Sequence, residues 1–261
     1  MKSMAKHENY KELIWVLAKT DLKLRYHGSV LGYLWAILKP LMMFAVLNFV
    51  FSSLFNPGGA NGKVYSLQLF VSLVMFNFFS EGTMAGMLSL LAKAQLVTKI
   101  YVPRWTIILA STVNSAMVFL LNLIIVVFFF AIKGFLPSAQ AILTFFLFSI
   151  ATYAVILSFS FLTAPLYVKF RDLSMIWEVL LTVLFYATPV FYSLEMLPPN
   201  VQKLLLLNPI AFIIHFNKKS LISNQFALPW QYATFSIIVI IGFIVSLMAY
   251  KKFISEVAEK I

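Results

Sequence analysis

Ionisable side chains inside long apolar runs are the first candidates for chemistry in this sequence. There are three of them, Lys39, Glu81 and Glu178. Lys39 and Glu178 stand near the ends of their runs, where a long side chain can reach the lipid headgroups. Pro40, next to Lys39, predicts a local kink. Glu81 stands in the middle of its run, so its carboxyl group should face either protein interior or a watery path.

Two interpretations of Glu81 stay open at this point. It could be an acid that lines a path and responds to protons, or a buried carboxyl group that is hydrogen-bonded to a neighbour such as Ser80 or Asn77. We favour the second, because proton-coupled transport commonly uses several linked ionisable groups and this acid is isolated.

Catalytic and metal chemistry finds little support in the residue types. The chain has no cysteine, which removes thiol nucleophiles, iron–sulfur clusters and Cys-ligated zinc. The three histidines, His7, His27 and His215, are scattered, so we expect no histidine metal centre. The glycine-rich stretch 57–64 has Pro57 and Val64 where a phosphate-binding loop needs Gly and Ser or Thr. We therefore predict no catalytic, cofactor or metal site on this chain, which argues against an intramembrane enzyme.

Aromatic residues are abundant, with 27 Phe, 11 Tyr and 5 Trp. Aromatic faces can stack on the apolar faces of sugar rings, and a path lined with them would let a glycan slide. Contact with lipid is the commoner explanation for any single Phe. The residues that we select as candidates for lining a path are Phe76, Phe79, Glu81, Phe185 and Tyr186.

The composition indicates an all-α membrane protein. Of the 261 residues 62% are hydrophobic and 11% are charged, and the mean hydropathy is +0.92; soluble domains are about 45–50% apolar. The formal net charge is +11, and the charged residues lie mostly between apolar runs rather than on the basic face of a soluble domain. It therefore indicates membrane topology, and we expect no nucleic-acid partner.

Six apolar runs approach or exceed the length needed to cross about 30 Å of hydrocarbon. They cover residues 31–55, 65–91, 105–132, 139–168, 175–192 and 228–250, of which the fifth is short. With the N-terminus in the cytoplasm, fifteen of the twenty Lys and Arg residues fall on the inner side. The positive-inside rule therefore predicts both termini in the cytoplasm, with residues 251–261 as a cytoplasmic tail.

Residues 1–30 are predicted to be a cytoplasmic amphipathic helix on the membrane surface. Apolar residues from Tyr10 to Leu24 recur on one face, and the lysines lie on the other. Asp21, at the edge of the apolar face, is expected to pair with Arg25 one turn later, with Lys23 on the charged face. Gly28 and Gly32 would then turn the chain into the first span. No apolar core of a cleaved signal peptide is apparent.

Residues 193–227, between the last two spans, are predicted to form short helices. The apolar stretch 204–216 is too short to span and is interrupted by Asn208 and Pro209, while Pro198 and Pro199 precede the first helix. We interpret the segment as two helices that dip back into the outer leaflet. A loop lying on the lipid surface is the alternative.

The order of these features resembles the permease subunits of type-2 ABC exporters for polysaccharides, the Wzm, KpsM and TagG group. The resemblance extends over nearly the whole chain. Its most specific parts are residues 21–36 with Lys39-Pro40-Leu41, residues 167–173, and Thr188-Pro189-Val190 followed by residues 197–199 and 207–209. Lys39 departs from the Asn expected before this proline.

This resemblance implies a homodimer of six-span subunits served by two cytoplasmic ATPase subunits, which would bind the ATP and Mg²⁺. It also implies that the inner connections 93–104 and 169–174 contact the ATPase. The coupling residues would be Gln95, Leu96, Val97, Thr98 and Lys99 in the first connection and Phe170, Arg171 and Asp172 in the second. For Arg171 and Asp172, helix capping or local pairing is an alternative. Residues 193–227 would form an exit gate with its hinge at Pro198, Asn208 and Pro209.

We therefore predict a permease of the bacterial inner membrane that moves a lipid-linked, O-antigen-like polysaccharide outward, powered by a separate ATPase. The substrate class comes mainly from the resemblance. One alternative is the same architecture carrying teichoic acid, a drug or another lipid. Another is an ion-coupled secondary transporter that depends on Glu81.

Overall fold

The computed structural model describes residues 9–55, 62–99 and 102–257. Within these ranges the chain forms ten α-helices and two short 3-10 turns, Gly32–Leu34 and Leu194–Met196, and no β-strand. The helices are α1 Tyr10–Arg25, α2 Trp35–Phe55, α3 Gly62–Ala92, α4 Ala94–Lys99, α5 Arg104–Lys133, α6 Ala139–Lys169, α7 Leu173–Ala187, α8 Pro199–Leu205, α9 Pro209–Ser223 and α10 Pro229–Val257. The prediction of an all-α protein is confirmed.

Five helices, α2, α3, α5, α6 and α10, are long and apolar enough to cross a membrane. They match five of the six predicted runs closely, except that α10 continues to Val257. The first part of the predicted tail from residue 251 is therefore helical.

The fifth predicted run corresponds to the shorter apolar helix α7. Its 15 residues rise about 22 Å at 1.5 Å per residue, less than the thickness of the hydrocarbon core. The run was predicted to extend to residue 192, but the helix ends at Ala187. Pro189 explains the early end, because it has no backbone donor and keeps Thr188 in an extended conformation.

Helix α3 is the centre of the bundle and is the most buried of the long helices. Its side chains pack against α2, α5, α6, α7 and α9. Close approach to α6 requires two glycines: a Cβ at Gly86 would lie 1.9 Å from Ser160 Oγ, and one at Gly82 would lie 2.7 Å from Ile156 Cδ1. Small residues at a helix contact let two backbones approach closely, as is common between membrane helices.

Hydroxyl groups inside the bundle are mostly satisfied by their own helix. In α6, Ser149 Oγ donates to Phe145 O at 2.8 Å, Thr152 Oγ1 to Phe148 O at 2.8 Å and Ser160 Oγ to Ile156 O at 2.7 Å. Because each group bonds to the carbonyl one turn earlier, these polar side chains can be placed in an apolar bundle at little cost.

The two ends of the bundle have different characters. At one end, Tyr10 of α1 contacts Trp105 of α5, and Arg104 Nη1 donates to Ile254 O of α10 at 2.8 Å; we call this the α1 end. At the other end, Ser138 Oγ donates to Asn224 Oδ1 at 2.6 Å, next to α9; we call this the α9 end. The glycine-rich stretch 57–64 lies largely outside the described residues.

Two short helices follow α7 at the α9 end, as predicted. Helix α8 begins at Pro199, and α9 begins at Pro209 with Asn208 as its N-cap, whose Oδ1 accepts from Ile210 N at 3.0 Å. Proline at the first helical position sacrifices no hydrogen bond, and asparagine satisfies a free backbone donor. Helix α9 extends to Ser223, well beyond the predicted apolar stretch.

Candidate functional site

A cavity of about 1220 Å³ opens between α1, α2, α3 and α7. Six charged side chains line it: Asp21, Arg25, Lys39, Glu81, Lys93 and Glu178. They come from four helices and from the residue between α3 and α4, and apolar residues such as Met43 and Leu181 fill the spaces between them. We call this space the charged cavity.

Two ion pairs connect α1 to α3 across this cavity. Arg25 Nη2 lies 3.0 Å from Glu81 Oε2, and Lys93 Nζ lies 2.5 Å from Asp21 Oδ2. The predicted pair between Asp21 and Arg25 is therefore wrong. Each of these residues instead finds a partner of opposite charge on or just after α3, which joins two helices rather than two turns of one helix. Glu81 is bound by Arg25 rather than hydrogen-bonded to Ser80 or Asn77 in any described contact.

Lys39 and Glu178 complete the set of charges in the cavity wall. Neither side chain makes an ion pair with any of the residues that the structure describes. Pro40, which follows Lys39, lies inside α2 and is buried. The cavity thus contains two closed ion pairs, one additional ammonium group and one additional carboxylate.

Of the five residues selected as path-lining candidates, Phe76, Glu81, Phe185 and Tyr186 line the charged cavity. Phe76 and Phe185 meet edge to face, with ring centroids 5.2 Å apart, which brings α3 and α7 together at the cavity wall. Phe79 does not line the cavity. It is buried, 4% exposed, and packs against Trp177.

Helix α1 is held along α5 by contacts that the sequence did not indicate. Asn114 Nδ2 donates to Ala18 O at 3.1 Å, and Ala18 is completely buried. Since Tyr10 meets Trp105 and Ala18 meets Asn114, the two helices run side by side in the same direction. About two turns further along α5, Asn122 Nδ2 donates to Ala36 O at 3.3 Å, at the start of α2. The only signal in the sequence is a pair of amides eight residues apart on one face of an apolar helix.

The turn between α1 and α2 has the predicted glycine geometry. Gly28 and Gly32 have φ values of 76° and 47°, in the left-handed region that favours glycine. At the end of α1, the guanidinium group of Arg25 lies over the ring of Tyr26, 5.6 Å from its centroid. Burial raises the pKa of the Tyr26 phenol; Arg25 lowers it and Glu81 raises it, each to a smaller extent. Lys23 is exposed on the opposite face of α1.

The two connections selected as coupling elements both lie at the α1 end. Gln95, Leu96, Val97, Thr98 and Lys99 belong to the short helix α4, and Leu96 reaches the charged cavity. The side chains of Val97, Thr98 and Lys99 lie outside what the structure describes. Phe170, Arg171 and Asp172 form the turn between α6 and α7 and are all exposed. Asp172 occupies the N-cap position of α7, but its side chain makes no capping hydrogen bond.

The candidate hinge residues lie at the α9 end. Pro198 is the N-cap of α8, and Asn208 and Pro209 begin α9. Sequence reasoning missed Lys218 on the same helix. Its ammonium group is buried and donates to Pro189 O at 2.6 Å and Tyr192 O at 2.7 Å. These bonds connect α9 to the chain that follows α7, and nothing in the local sequence shows that Lys218 points inward.

The charged cavity can hold a charged or strongly polar group next to an apolar one, because both kinds of wall are present. No three His, Asp or Glu side chains within the described ranges lie close enough to hold a metal ion. In the charged cavity the ion pairs join α1 to residues on or just after α3, so movement of α1 relative to α3 would change both ion pairs together.

Comparison with known proteins gives the family. A profile of the ABC-2 type transporter family matches residues 12–226. The chain is 28% identical over 237 residues to the O-antigen export system permease protein RfbA of Klebsiella pneumoniae, covering 91% of this chain and 89% of that protein. It is also 28% identical over 207 residues to the RfbA permease of Myxococcus xanthus, covering 78% of each. The family match covers most of the chain, and so this multi-pass, all-helical membrane protein belongs to the ABC-2 type transporter family.

Proposed function

We propose that this protein is the permease subunit of an ATP-driven exporter that moves a lipid-linked, O-antigen-like polysaccharide from the cytoplasmic side of the bacterial inner membrane outward. The observation that carries this proposal is the charged cavity, because a space with polar and apolar walls suits a molecule with a sugar part and a lipid part. The similarity to two O-antigen export permeases supports the same substrate class.

Two copies would form the complete path. Helices α2 and α7 border the charged cavity and also carry exposed apolar side chains, including Met42, Val46, Val179 and Val183. A second copy packed on these faces would remove this apolar surface from contact with lipid and enclose the cavity between the subunits. Among soluble homo-oligomers, two-fold symmetric dimers are the commonest closed assembly.

The α1 end would face the cytoplasm and two ATPase subunits. Positive charge is concentrated in the connections at this end, consistent with the positive-inside rule. Exposed Phe170, Arg171 and Asp172, together with α4, would contact the ATPase. The ATPase subunits would bind ATP and Mg²⁺, and closure of the ATPase pair would push these connections as rigid bodies.

The α9 end would then face outward. In this arrangement α7 and the residues after it make the sixth crossing, and α8 and α9 dip back into the outer leaflet as an exit gate hinged at Asn208 and Pro209. The short length of α7 and the proline at the start of each gate helix support this division.

Other cargo remains compatible with this architecture, whereas ion-coupled transport has less support. Teichoic acid, a drug or another lipid would meet the same mixed cavity. For ion coupling, Glu81 would have to bind and release a proton during each cycle. Its ion pair with Arg25 instead supports a role in joining α1 to α3.

The test is transport by the purified protein in liposomes, with and without the partner ATPase. We expect labelled glycolipid to appear on the far side only when the ATPase and ATP are both present, and vanadate to stop it. A protonophore should leave the rate unchanged. Full transport by this chain alone, or transport abolished by the protonophore, would overturn the proposal.

A further inference from the structure

A second polar space lies at the α9 end, far along the bundle from the charged cavity. It has a volume of about 390 Å³ and lies between α3, α9 and the turn that follows α7. A smaller space of about 210 Å³ adjoins it, and Gln68, Ser193 and Lys218 line both. We call the two together the polar cleft. Its size falls in the range of ordinary small-molecule sites, about 300–1,000 Å³.

Two buried side chains present unused hydrogen-bonding capacity to this cleft. Lys218 is 5% exposed, and its two hydrogen bonds to Pro189 O and Tyr192 O leave a further N–H. His215 is 4% exposed, and its Nδ1 has no hydrogen-bond partner among the described residues. A buried polar atom without a partner is costly in a folded protein, so it marks a place where a ligand could supply the missing bond.

The charges of the cleft limit which ligand fits. Glu195 pairs with Lys219, and Ser193 donates to the same carboxylate. A metal ion would face two ammonium groups, and a phosphate group would face the Glu195 carboxylate together with those ammonium groups. A neutral ligand avoids both conflicts. Burial lowers the pKa of His215 to about 4, with a smaller lowering by Lys219, so its imidazole is neutral near pH 7 and Nδ1 can accept a hydrogen bond.

The wall of the cleft contains both hydrogen-bond donors and acceptors. The ammonium form of Lys218 can only donate, a carboxylate such as Glu195 can only accept, and the amides of Gln68 and Gln225 can do both. A hydroxyl group both donates and accepts, so a ring with several hydroxyl groups can satisfy such a mixed set. The adjoining part of the cleft is walled by Tyr65, Phe191 and Tyr192, which supply apolar surface for the carbon-bound faces of a ring.

We propose that the polar cleft binds one neutral sugar residue of the exported glycan on the outward side of the protein. This inference rests on the proposed function for the identity of the sugar. It adds a glycan-binding site to the subunit that is separate from the charged cavity. Such a site would hold one sugar residue beside the exit while the remainder of the glycan follows.

Binding and export are measured separately to test this. The probe is the polysaccharide released by mild acid from the glycolipid of the producing cells, labelled at its reducing end and titrated against the full permease–ATPase complex in lipid nanodiscs. Variants Gln68→Leu and Gln225→Leu remove one amide each. Gln140→Leu is the matched control, since Gln140 is exposed near the start of α6 and lines neither part of the cleft.

We expect each variant to weaken binding by up to about tenfold, the equivalent of one hydrogen bond, and the control to bind like the wild type. Inorganic phosphate at millimolar concentration should not compete. The cleft proposal would be overturned if Gln68→Leu and Gln225→Leu bound the probe as tightly as the control Gln140→Leu. Competition by phosphate, or a wild type that exports glycan without binding the probe, would also overturn it. Amide-dependent binding by a complex that exports no glycan would support the cleft and contradict only the proposed function.

Discussion

Arg25, the last residue of α1, forms an ion pair with Glu81, an interior residue of α3, at 3.0 Å. Both side chains are partly exposed to the charged cavity, at 36% and 26%. The pair connects the helix at the α1 end to the most buried helix of the bundle. In the proposed exporter, a force applied to α1 would therefore reach the wall of the cavity directly.

Exchanging the two charges of this pair should distinguish a role of Glu81 in ion pairing from a role in proton transport. We expect Glu81→Gln and Arg25→Gln each to lower the export rate several-fold, since a partly exposed pair contributes up to about 1 kcal/mol, or about fivefold. The double exchange Arg25→Glu with Glu81→Arg should recover part of the rate, because the attraction is restored. The measurement is ATP-dependent glycolipid transport in liposomes for all four proteins.

The opposite pattern would support the ion-coupled alternative. If Glu81 carries protons, the double exchange should be as inactive as Glu81→Gln, because the acid would no longer stand on α3. Lys203, at the α9 end in α8, offers a control position, and Lys203→Gln should leave the rate of transport close to that of the wild type.

We expect a larger side chain at Gly86 to reduce the stability of the folded protein strongly. An alanine Cβ there would lie 1.9 Å from Ser160 Oγ and 2.5 Å from Ser160 Cβ, so α3 and α6 would have to separate. Overpacking of this kind typically costs about 1–3 kcal/mol. We expect Gly86→Ala to lower the melting temperature of the purified protein in detergent, measured by loss of the monodisperse peak after heating.

The matched control is Gly242→Ala in α10, where an added Cβ meets nothing within 4 Å. This change should leave the melting temperature unchanged or raise it slightly, because alanine favours the helix. Equal melting temperatures for the two variants would contradict the close approach of α3 and α6.

The long helices could be predicted from the sequence because run length and apolar composition determine them directly. Pro199 and Pro209 likewise mark the starts of α8 and α9 through local backbone chemistry. The ion pairs could not be predicted in the same way. Lys93 is 72 residues from Asp21, and helical periodicity offered Arg25 as the nearer partner.

Buried polar residues were the least predictable part of both sites. Asn114, Asn122 and Lys218 all bond to backbone carbonyls of other elements, so their partners carry no side-chain signature. Phe79 illustrates the converse: it shares a helix with Phe76, but only the structure shows that Phe76 faces the cavity and Phe79 faces Trp177.

His215 should make the stability of the protein depend on pH. Burial lowers its pKa from 6.5 to about 4 in the folded protein, so the unfolded chain binds this proton first as the pH falls. The contribution of the neutral His215 imidazole to the free energy of unfolding is therefore complete above pH 6.5 and is lost as the pH falls toward 4. We expect the melting temperature to fall over this interval in wild type and to fall less in His215→Gln.

The charged neighbours of His215 do not remove this difference. Burial raises the pKa of Glu195, but hydrogen bonds from Lys219 and Ser193 outweigh it and lower the pKa to about 2, so Glu195 stays ionised above pH 5. Burial lowers the pKa of Lys218 to about 7, and this group is protonated below that pH. A pH profile between 7 and 5 that is identical for wild type and His215→Gln would contradict the neutral, buried imidazole.

The turn between α6 and α7 should determine how well the permease holds its ATPase. Phe170 is 50% exposed, and Arg171 and Asp172 make no ion pair with any described residue, so these side chains are available to a partner. We expect Phe170→Asp to reduce co-purification of the ATPase and to lower transport at least about tenfold, the effect of removing one of the few interface residues that carry most of the binding energy. The melting temperature of the permease alone should change little, because an exposed side chain contributes little to folding.

Leu136→Asp is the matched control: Leu136 is 94% exposed in the connection between α5 and α6, at the opposite end of the bundle. If both variants retained the ATPase equally well, the contact would have to lie elsewhere, and α4, the other proposed contact at this end, would be tested next.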